Sequence, residues 1–350
     1  MIRKKILFLT GSPNQTTQMH NVASYLTNDY DCYFSQIFDD TPAVKALMKT
    51  GLIEGTVISD KFIKKSEKYY SEHGLRSDYR GETLGNKYDL VVMCSDMIFP
   101  KKFKNVKTVF VQEGMTDPVT LWSKVVKFMG LPGYYAMSTA LNGSLNHCDV
   151  YCVASEGYKQ KFSKAGTEEN KIVVTGMPNF DNMRSYLNND FPYKNYVLVA
   201  TSDIRELYGF DNRKEFIKNC ADIAGERQLI FKTHPNERQK RAVREIKKYA
   251  PADTLIYTDG NTNHMVANCD VLITQYSTVS YIGLALNKEV HSYFDIKELM
   301  KLLPLQNNGM SAQNIANVCQ GYIEFEGNGT EYLKSNSNKF YNTTQLAWAG

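Results

Sequence analysis

Asn188-Asn189-Asp190-Phe191-Pro192-Tyr193-Lys194-Asn195, followed at once by the apolar run Tyr196-Val197-Leu198-Val199-Ala200, divides the chain into two. The first stretch is polar and broken by a proline, as a linker is; the second reads as a buried strand. Before the break, short apolar runs at Lys5–Thr10, Tyr88–Cys94, Thr108–Gln112, Val150–Ala154 and Lys171–Thr175 alternate with helically spaced segments such as Met19–Leu26 and Leu121–Met129. After it, a second series runs through Tyr196–Ala200, Gln228–Lys232, Thr254–Tyr257, Val271–Thr274 and Glu289–Tyr293. This alternation is the signature of βαβ units and parallel sheets. Two consecutive series predict an α/β protein of two doubly wound domains, over 1–190 and 191–325, facing each other across a cleft. Ligands are expected at the carboxyl ends of the strands. The segment 326–350, rich in Asn, Ser and Thr, is expected as a tail crossing back to the first domain.

Size and composition agree with two globular domains: 350 residues, 43% hydrophobic and 22% charged. A net charge of +4 is mild. The densest basic run (Arg238, Lys240, Arg241, Arg244, Lys247, Lys248) has the spacing of a solvated helix face, which speaks against a nucleic-acid partner. The seven cysteines are odd in number and form no CxxC pair, so neither a zinc site nor a disulfide framework is predicted. That points to a reducing, cytoplasmic setting. Met1–Lys5 looks superficially like the start of a secretory signal, but the apolar run behind it is short and breaks at Gly11-Ser12-Pro13. No stretch approaches the ~20 apolar residues of a membrane span.

Polar signals follow several of the predicted strands. Lys232-Thr233-His234-Pro235-Asn236-Glu237 ends one in the second domain; there an imidazole can donate to a phosphate oxygen, Lys232 can neutralise another, and Pro235 fixes the turn. The same residues also fit a plain helix-start turn. Ser277 and Thr278 open a helix, where unpaired N–H groups favour anions and where either hydroxyl can also serve as a cap. Thr201-Ser202-Asp203-Ile204-Arg205-Glu206 offers hydroxyls from Thr201 and Ser202 and a cation at Arg205, or else a capping box closed by Glu206. In the first domain Gln112-Glu113-Gly114-Met115-Thr116-Asp117 presents Glu113 as a candidate general base and Asp117 as second choice. Asp96 is another carboxylate at a strand end. The loop from Gly11 to His20 lacks the spacing of a dinucleotide fingerprint or a P-loop; Ser12, Thr16 and His20 are its acceptor-side candidates. Asn261 or Thr262 is expected to cap the helix after Tyr257. His73, His147 and His291 form no ligand spacing, so no metal and no cofactor is expected.

Taken in order, these motifs resemble the GT-B superfamily around UDP-N-acetylglucosamine 2-epimerase, bacterial CMP-sugar glycosyltransferases and teichoic-acid glycerophosphotransferases. The resemblance runs from about Lys5 to Tyr293 through short motifs only. Leu9–Met19 is similar to the epimerases' first loop, Val174–Asp181 to their Val-Thr-Gly-Asn segment, and His234-Pro235-Asn236 to their His-Pro-Asn. Asp96 and Glu113 fall where that family has catalytic acids. Asp203 stands where the epimerases have a histidine, Thr139–Gly143 lacks their Glu-x-Asn-Arg pattern, and Gln275–Thr278 replaces their Asp-Ser-Gly-Gly loop. Gln112-Glu113-Gly114, His234-Pro235 and Ser277-Thr278 follow the order of the acidic, His-Pro and Ser-Ser/Thr motifs of sialyl- and Kdo-transferases. There the acidic motif supplies the base and the other two hold the CMP phosphate.

The resemblance implies a metal-independent glycosyltransferase, with a CMP-sugar favoured over a UDP-sugar as donor and a bacterial surface glycan, free or lipid-linked, as acceptor. Glu113 is the expected base; Asp96 and His234 complete the catalytic candidates. Expected partners extend to peripheral contact with the inner membrane and a homodimer. The alternatives are a UDP-N-acetylglucosamine 2-epimerase or related UDP-sugar enzyme, a CDP-glycerol-type glycerophosphotransferase, and a catalytically dead nucleotide-sugar-binding protein.

Overall fold

The computed structural model describes residues 3–39, 58–85, 87–136, 138–206 and 209–337. Contacts divide the chain into one unit of Met1–Asp181 with Pro304–Gly350 and a second of Asn182–Leu303. In the first, β1 (Lys5–Thr10), β2 (Asp31–Gln36), β3 (Leu90–Met93), β4 (Lys107–Val111), β5 (Val150–Val153) and β6 (Ile172–Val174) form one sheet. Its order is β2-β1-β3-β4-β5-β6, with every pairing parallel. The helices here are α1 (Pro13–Ser24), α2 (Asp60–Glu72), α3 (Leu121–Phe128) and α4 (Glu156–Ala165).

The second unit holds β7 (Val197–Ala200), β8 (Leu229–Lys232), β9 (Leu255–Tyr257), β10 (Val271–Thr274) and β11 (Glu289–His291). They are also all parallel, in the order β11-β10-β7-β8-β9. Helices α5 (Arg213–Ala224), α6 (Gln239–Tyr249), α7 (Thr262–Asn268), α8 (Val279–Ala285) and α9 (Ile296–Leu302) connect the strands. The expected α/β class and doubly wound sheets are therefore present. The strand order reverses between β1 and β3 in one unit and between β7 and β10 in the other, and such switch points leave a crevice at the carboxyl edge.

The strands read as unbroken apolar runs because both faces are covered. Ile6, Phe8, Leu90, Val92, Val109 and Val150 are fully buried. Each such side chain contributes about 2 kcal/mol relative to exposure. Strand β2 has no place in the sequence-based series. Its sequence, Asp31-Cys32-Tyr33-Phe34-Ser35-Gln36, mixes polar and apolar residues. Buried Ser35 and Gln36 are matched by specific partners: the Ser66 hydroxyl donates to Gln36 Oε1 at 2.5 Å, and Gln36 Nε2 donates to Gly11 O at 2.9 Å.

The return to the first unit begins at Pro304, well ahead of the expected residue 326. Two further helices, α10 (Ser311–Glu324) and α11 (Gly329–Ser335), belong to it. Ile315, Val318, Cys319 and Tyr322 sit in one core cluster with Ile6, Phe8 and Val22. Polar stitches fix the entry: Leu305 N donates to Ala154 O at 3.0 Å, Asn307 Nδ2 to Thr175 O at 3.0 Å and Ser311 N to Asp181 Oδ2 at 2.7 Å. The part of the expected tail beyond residue 337 lies outside the described residues.

Gly176 is where this return leaves no room. Its φ is +83°, and a Cβ there would run into the Ser311 hydroxyl and the Asn307 amide. Gly176→Ala therefore combines a left-handed backbone with a steric clash. We expect it to cost about 2 kcal/mol or more, read as a lowered midpoint in thermal or urea unfolding.

Candidate functional site

In the first unit the loops after β1, β3 and β4 supply the polar residues. Pro13 opens α1 at its first turn, and Ser12 caps it: Gln15 N donates to Ser12 Oγ at 3.2 Å while Gln15 Oε1 accepts from Gly11 N at 2.7 Å. This capping box fixes the Gln15 amide group, whose other end hydrogen-bonds to the Glu113 carboxylate. Glu113 is half-buried at the end of β4. Burial pushes its carboxyl above the ordinary glutamate range, and the bond from Gln15 opposes this. No ion pair reaches it among the described residues, and the space where a side chain at Gly114 would stand is open. A carboxylate with this environment is a stronger base than a solvated glutamate.

The neighbouring Gln112 is built into the sheet end. Its Oε1 accepts from Ala154 N at 2.9 Å, its Nε2 donates to Gly114 O at 3.0 Å, and its carbonyl accepts from Gln18 Nε2 at 3.0 Å. These bonds hold the turn that presents Glu113.

The other first-unit candidates are occupied otherwise. Asp96 is fully buried, and its carboxylate accepts from Gly143 N at 2.7 Å, Leu145 N at 2.9 Å and the Tyr151 hydroxyl at 3.0 Å. Burial raises its pKa, and the bonds from Leu145, Gly143 and Tyr151 act against that rise. It shapes the 142–147 loop, in contrast to the catalytic acid expected from its place after a strand. Asp117 is exposed and clamps Thr139, accepting from its N at 2.8 Å and its Oγ1 at 2.7 Å. Ser12 is occupied by the helix cap, and Thr16 is buried with its hydroxyl on Thr10 Oγ1 at 3.1 Å. His20 Nδ1 lies 3.1 Å from the Tyr69 hydroxyl, with the His73 ring centroid 5.4 Å away. Burial, and then His73, lower its pKa. These three acceptor-side candidates are thus tied into the α1 end of the unit.

In the second unit the loops after β7, β8 and β10 meet at the switch point. Pro235 occupies the exposed turn closed by Glu237 N to His234 O at 3.0 Å. Asn236 N donates to His234 Nδ1 at 3.2 Å, so the neutral imidazole carries its proton on Nε2. Asp203 Oδ2 stands 3.6 Å from Nδ1 and accepts from Asn236 Nδ2 at 3.0 Å. The imidazole is half-buried, with no partner for Nε2 among the described residues, and is therefore presented as a donor.

Beneath the turn lies a residue that the sequence placed in a helix start. Glu237 is buried; it accepts from the Thr201 hydroxyl, from His234 N at 3.1 Å and from Arg213 Nη2 at 2.6 Å. Arg213 is buried too, with Nε 2.8 Å from Asp211 Oδ2 and Nη2 3.2 Å from Ser202 O. Thr201 and Ser202 thus form part of the frame of the His-Pro turn: the Ser202 hydroxyl donates to Tyr276 O at 3.3 Å, joining the β7 loop to the β10 loop. No helix begins at Ser202 or Asp203; α5 starts at Arg213, capped by Asn212.

Two expected phosphate cations point elsewhere. Arg205 is forked onto Glu245 at 3.0 and 2.7 Å. Lys232 is buried, its ammonium donating to Thr233 O at 3.0 Å and Thr258 O at 3.4 Å; burial lowers its pKa. Ser277 Oγ accepts from Val279 N at 3.3 Å, whereas half-buried Thr278 makes no side-chain cap bond. Asn261, as expected, caps α7.

No protein-family model and no curated protein matches the sequence. Solved structures do match in fold. A putative UDP-N-acetylglucosamine 2-epimerase from Listeria monocytogenes superposes with a TM-score of 0.56 at 10% identity, over 99% of this chain and 95% of that one. The UDP-GlcNAc 2-epimerase from Neisseria meningitidis, bound to UDP-GlcNAc, gives 0.55 at 14% identity, over 98% and 99%. Anabaena HepE, in complex with UDP and glucose, gives 0.50 at 11% identity, over 99% and 97%. The likeness spans both units and shows the GT-B type of fold.

Two outcomes follow from this geometry. Glu237→Ala leaves Arg213 buried with one of its carboxylates gone, and should destabilise the protein by about 3–5 kcal/mol in chemical unfolding. Gln15→Ala should cost about 1 kcal/mol through the lost side-chain half of the capping box and move the Glu113 carboxyl still higher in a carbon-13 NMR pH titration. An unmoved Glu113 resonance would contradict the coupling described.

Proposed function

We propose that the chain is a nucleotide-sugar-dependent glycosyltransferase in which Glu113 is the general base. The observation that carries this reading is Glu113 itself: a carboxyl at a strand end, raised by burial, held by Gln15 and free of ion pairs among the described residues. In the reaction an acceptor hydroxyl gives its proton to Glu113 while its oxygen bonds to the sugar C1. The C1–O bond to the donor phosphate breaks, and the leaving oxygen keeps the electron pair. His234 Nε2–H is assigned as donor to that phosphate, and the Thr278 hydroxyl as a second donor. Ser277, Lys232 and Arg205 are assigned smaller parts than their sequence positions imply, because their polar atoms already have partners. The acceptor proposed is a bacterial surface glycan, free or lipid-linked.

UDP is placed ahead of CMP as the donor nucleotide. The sequence motifs favour CMP, but two of the structures similar in fold were solved with UDP or UDP-GlcNAc. The Listeria and Neisseria structures favour a second reading, a UDP-sugar epimerase. Eliminating and re-adding UDP calls for more than one available acid or base. Asp96, the second candidate, has both carboxylate oxygens occupied by loop donors. That weighs toward transfer.

A thermal-shift panel of UDP, CMP, CDP and GDP addresses the ligand, since one that binds only the folded state at about 100 times its Kd adds roughly 2.7 kcal/mol. We expect UDP to raise the midpoint most. Glu113→Gln should lower transfer about 100-fold or more while keeping the nucleotide shift, and His234→Ala should shrink both. The pH profile of kcat should lose its activity on the acid side, through a pKa above the ordinary glutamate value, because the base works only when ionised. Unchanged turnover in Glu113→Gln would remove the base assignment. Conversion of UDP-GlcNAc with no acceptor present would favour the epimerase.

A further inference from the structure

Helix α3 is built inside out. Thr120 caps it through Ser123, and Ser123 and Val126 are its fully buried residues. Lys127 turns inward, its ammonium donating to Ser144 O and Ala165 O, both at 2.6 Å. The large apolar side chains point the other way: Phe128 is 92% exposed, Leu121 82%, Met129 62% and Trp122 54%. Val125 and Tyr135 add to the same exposed group. In a helix that packs by its apolar stripe these exposures would be reversed. A contiguous apolar patch of this kind marks an interaction surface.

We propose that this face docks onto an anionic lipid surface, the helix lying in the plane of the interface. Shape, charge and composition favour a bilayer over a second copy of the chain. Phe128 and Leu121 protrude almost fully, which suits insertion between acyl chains better than a flat, self-complementary contact. The helix has eight residues, or about 12 Å of length by about 10 Å of width, and a face on the order of 120 Å² is well short of the ~800 Å² per partner of a stable dimer. From Pro118 to Cys148 the chain has lysines at 124 and 127 and no acidic residue. Lys124 is exposed on the margin of the apolar arc, while the preceding acid, Asp117, has its carboxylate on Thr139. Trp122 and Tyr135 are amphipathic rings of the kind that settle at headgroup depth, and the Trp122 indole N–H donates to Tyr135 O at 3.0 Å, which holds the two together. No helix among the described residues is long and apolar enough to cross a membrane, so the contact is peripheral. The proposal is independent of the reaction assigned above.

The test uses the full chain and sucrose-loaded vesicles, either of equal parts phosphatidylglycerol and phosphatidylethanolamine or of phosphatidylcholine alone. The wild-type protein should sediment with the anionic vesicles. The double substitution Leu121→Ser with Phe128→Ser should weaken that binding about ten-fold or more, with an unchanged unfolding midpoint because both side chains are exposed. Lys124→Glu should weaken binding to the anionic vesicles about five-fold or more. In a Trp348→Phe background, Trp122 is the remaining one of two tryptophans, and its emission should shift to the blue with anionic vesicles. Absence of sedimentation, or equal sedimentation of the double variant, would overturn the proposal. So would a concentration-dependent dimer in ultracentrifugation that the double substitution abolishes and vesicles do not compete away; that result would assign the face to a second copy.

Discussion

A strand can pair in parallel with the next only after a crossover, and the crossovers here cover both faces of each sheet. Side chains within the central strands are therefore committed to burial, and polar groups that are to meet a ligand have the strand ends left to them. Both units obey this constraint. Thr10, Gln112, Thr201, Lys232 and Gln275 stand at or just beyond the ends of β1, β4, β7, β8 and β10, and all five are buried. Burial at a strand end obliges each to find partners, and the partners set the shape of the loop that follows. Gln112 shows this directly: its bonds to Ala154 and Gly114 fold the turn on which Glu113 sits.

Asp96, Glu113, Asp117 and Glu237 all follow closely behind strand ends. Sequence position made three of them look alike, and Glu237 looked like part of a helix start. The structure separates them by what each one touches. Asp96 holds loop amides, Asp117 holds Thr139, and Glu237 holds Arg213, Thr201 and the His234 amide. Glu113, among the described residues, has a single neutral donor in Gln15. The difference is one of hydrogen-bond inventory, which, the His234 amide apart, depends on residues from 22 to about 100 positions away and leaves no local trace.

The same reasoning explains which parts of the fold could be read in advance. Runs such as Ile6–Leu9 and Val197–Ala200 are apolar throughout, since a parallel strand covered on both faces admits little else. Strand β2 was not legible because Ser35 and Gln36 are buried by pairing with Arg80 N and with Ser66 and Gly11, and polar pairing has no periodicity. The return at Pro304 was placed late because the break at Pro304 and Asn307-Asn308-Gly309 ends one helix without telling which unit the next helix, Ser311–Glu324, will join. Its destination is decided by tertiary contacts such as Lys107 Nζ to Tyr322 O at 2.9 Å. Arg213 is the clearest miss: an arginine in the first turn of a helix is ordinarily solvated, and only Asp211 and Glu237 together make its burial tolerable.

Glu113 also fixes the direction of a trade between stability and chemistry. A carboxyl whose pKa is raised on folding binds its proton more tightly in the native state than in the unfolded one. Its contribution to stability is therefore greatest at low pH and diminishes as pH rises from the unfolded value through the folded one. In its ionised form Glu113 opposes folding, and an uncharged glutamine of the same shape relieves that opposition. The desolvation that makes the group a competent base is the same desolvation that weighs on the fold. Gln15, held by its own capping box, moderates both without removing either.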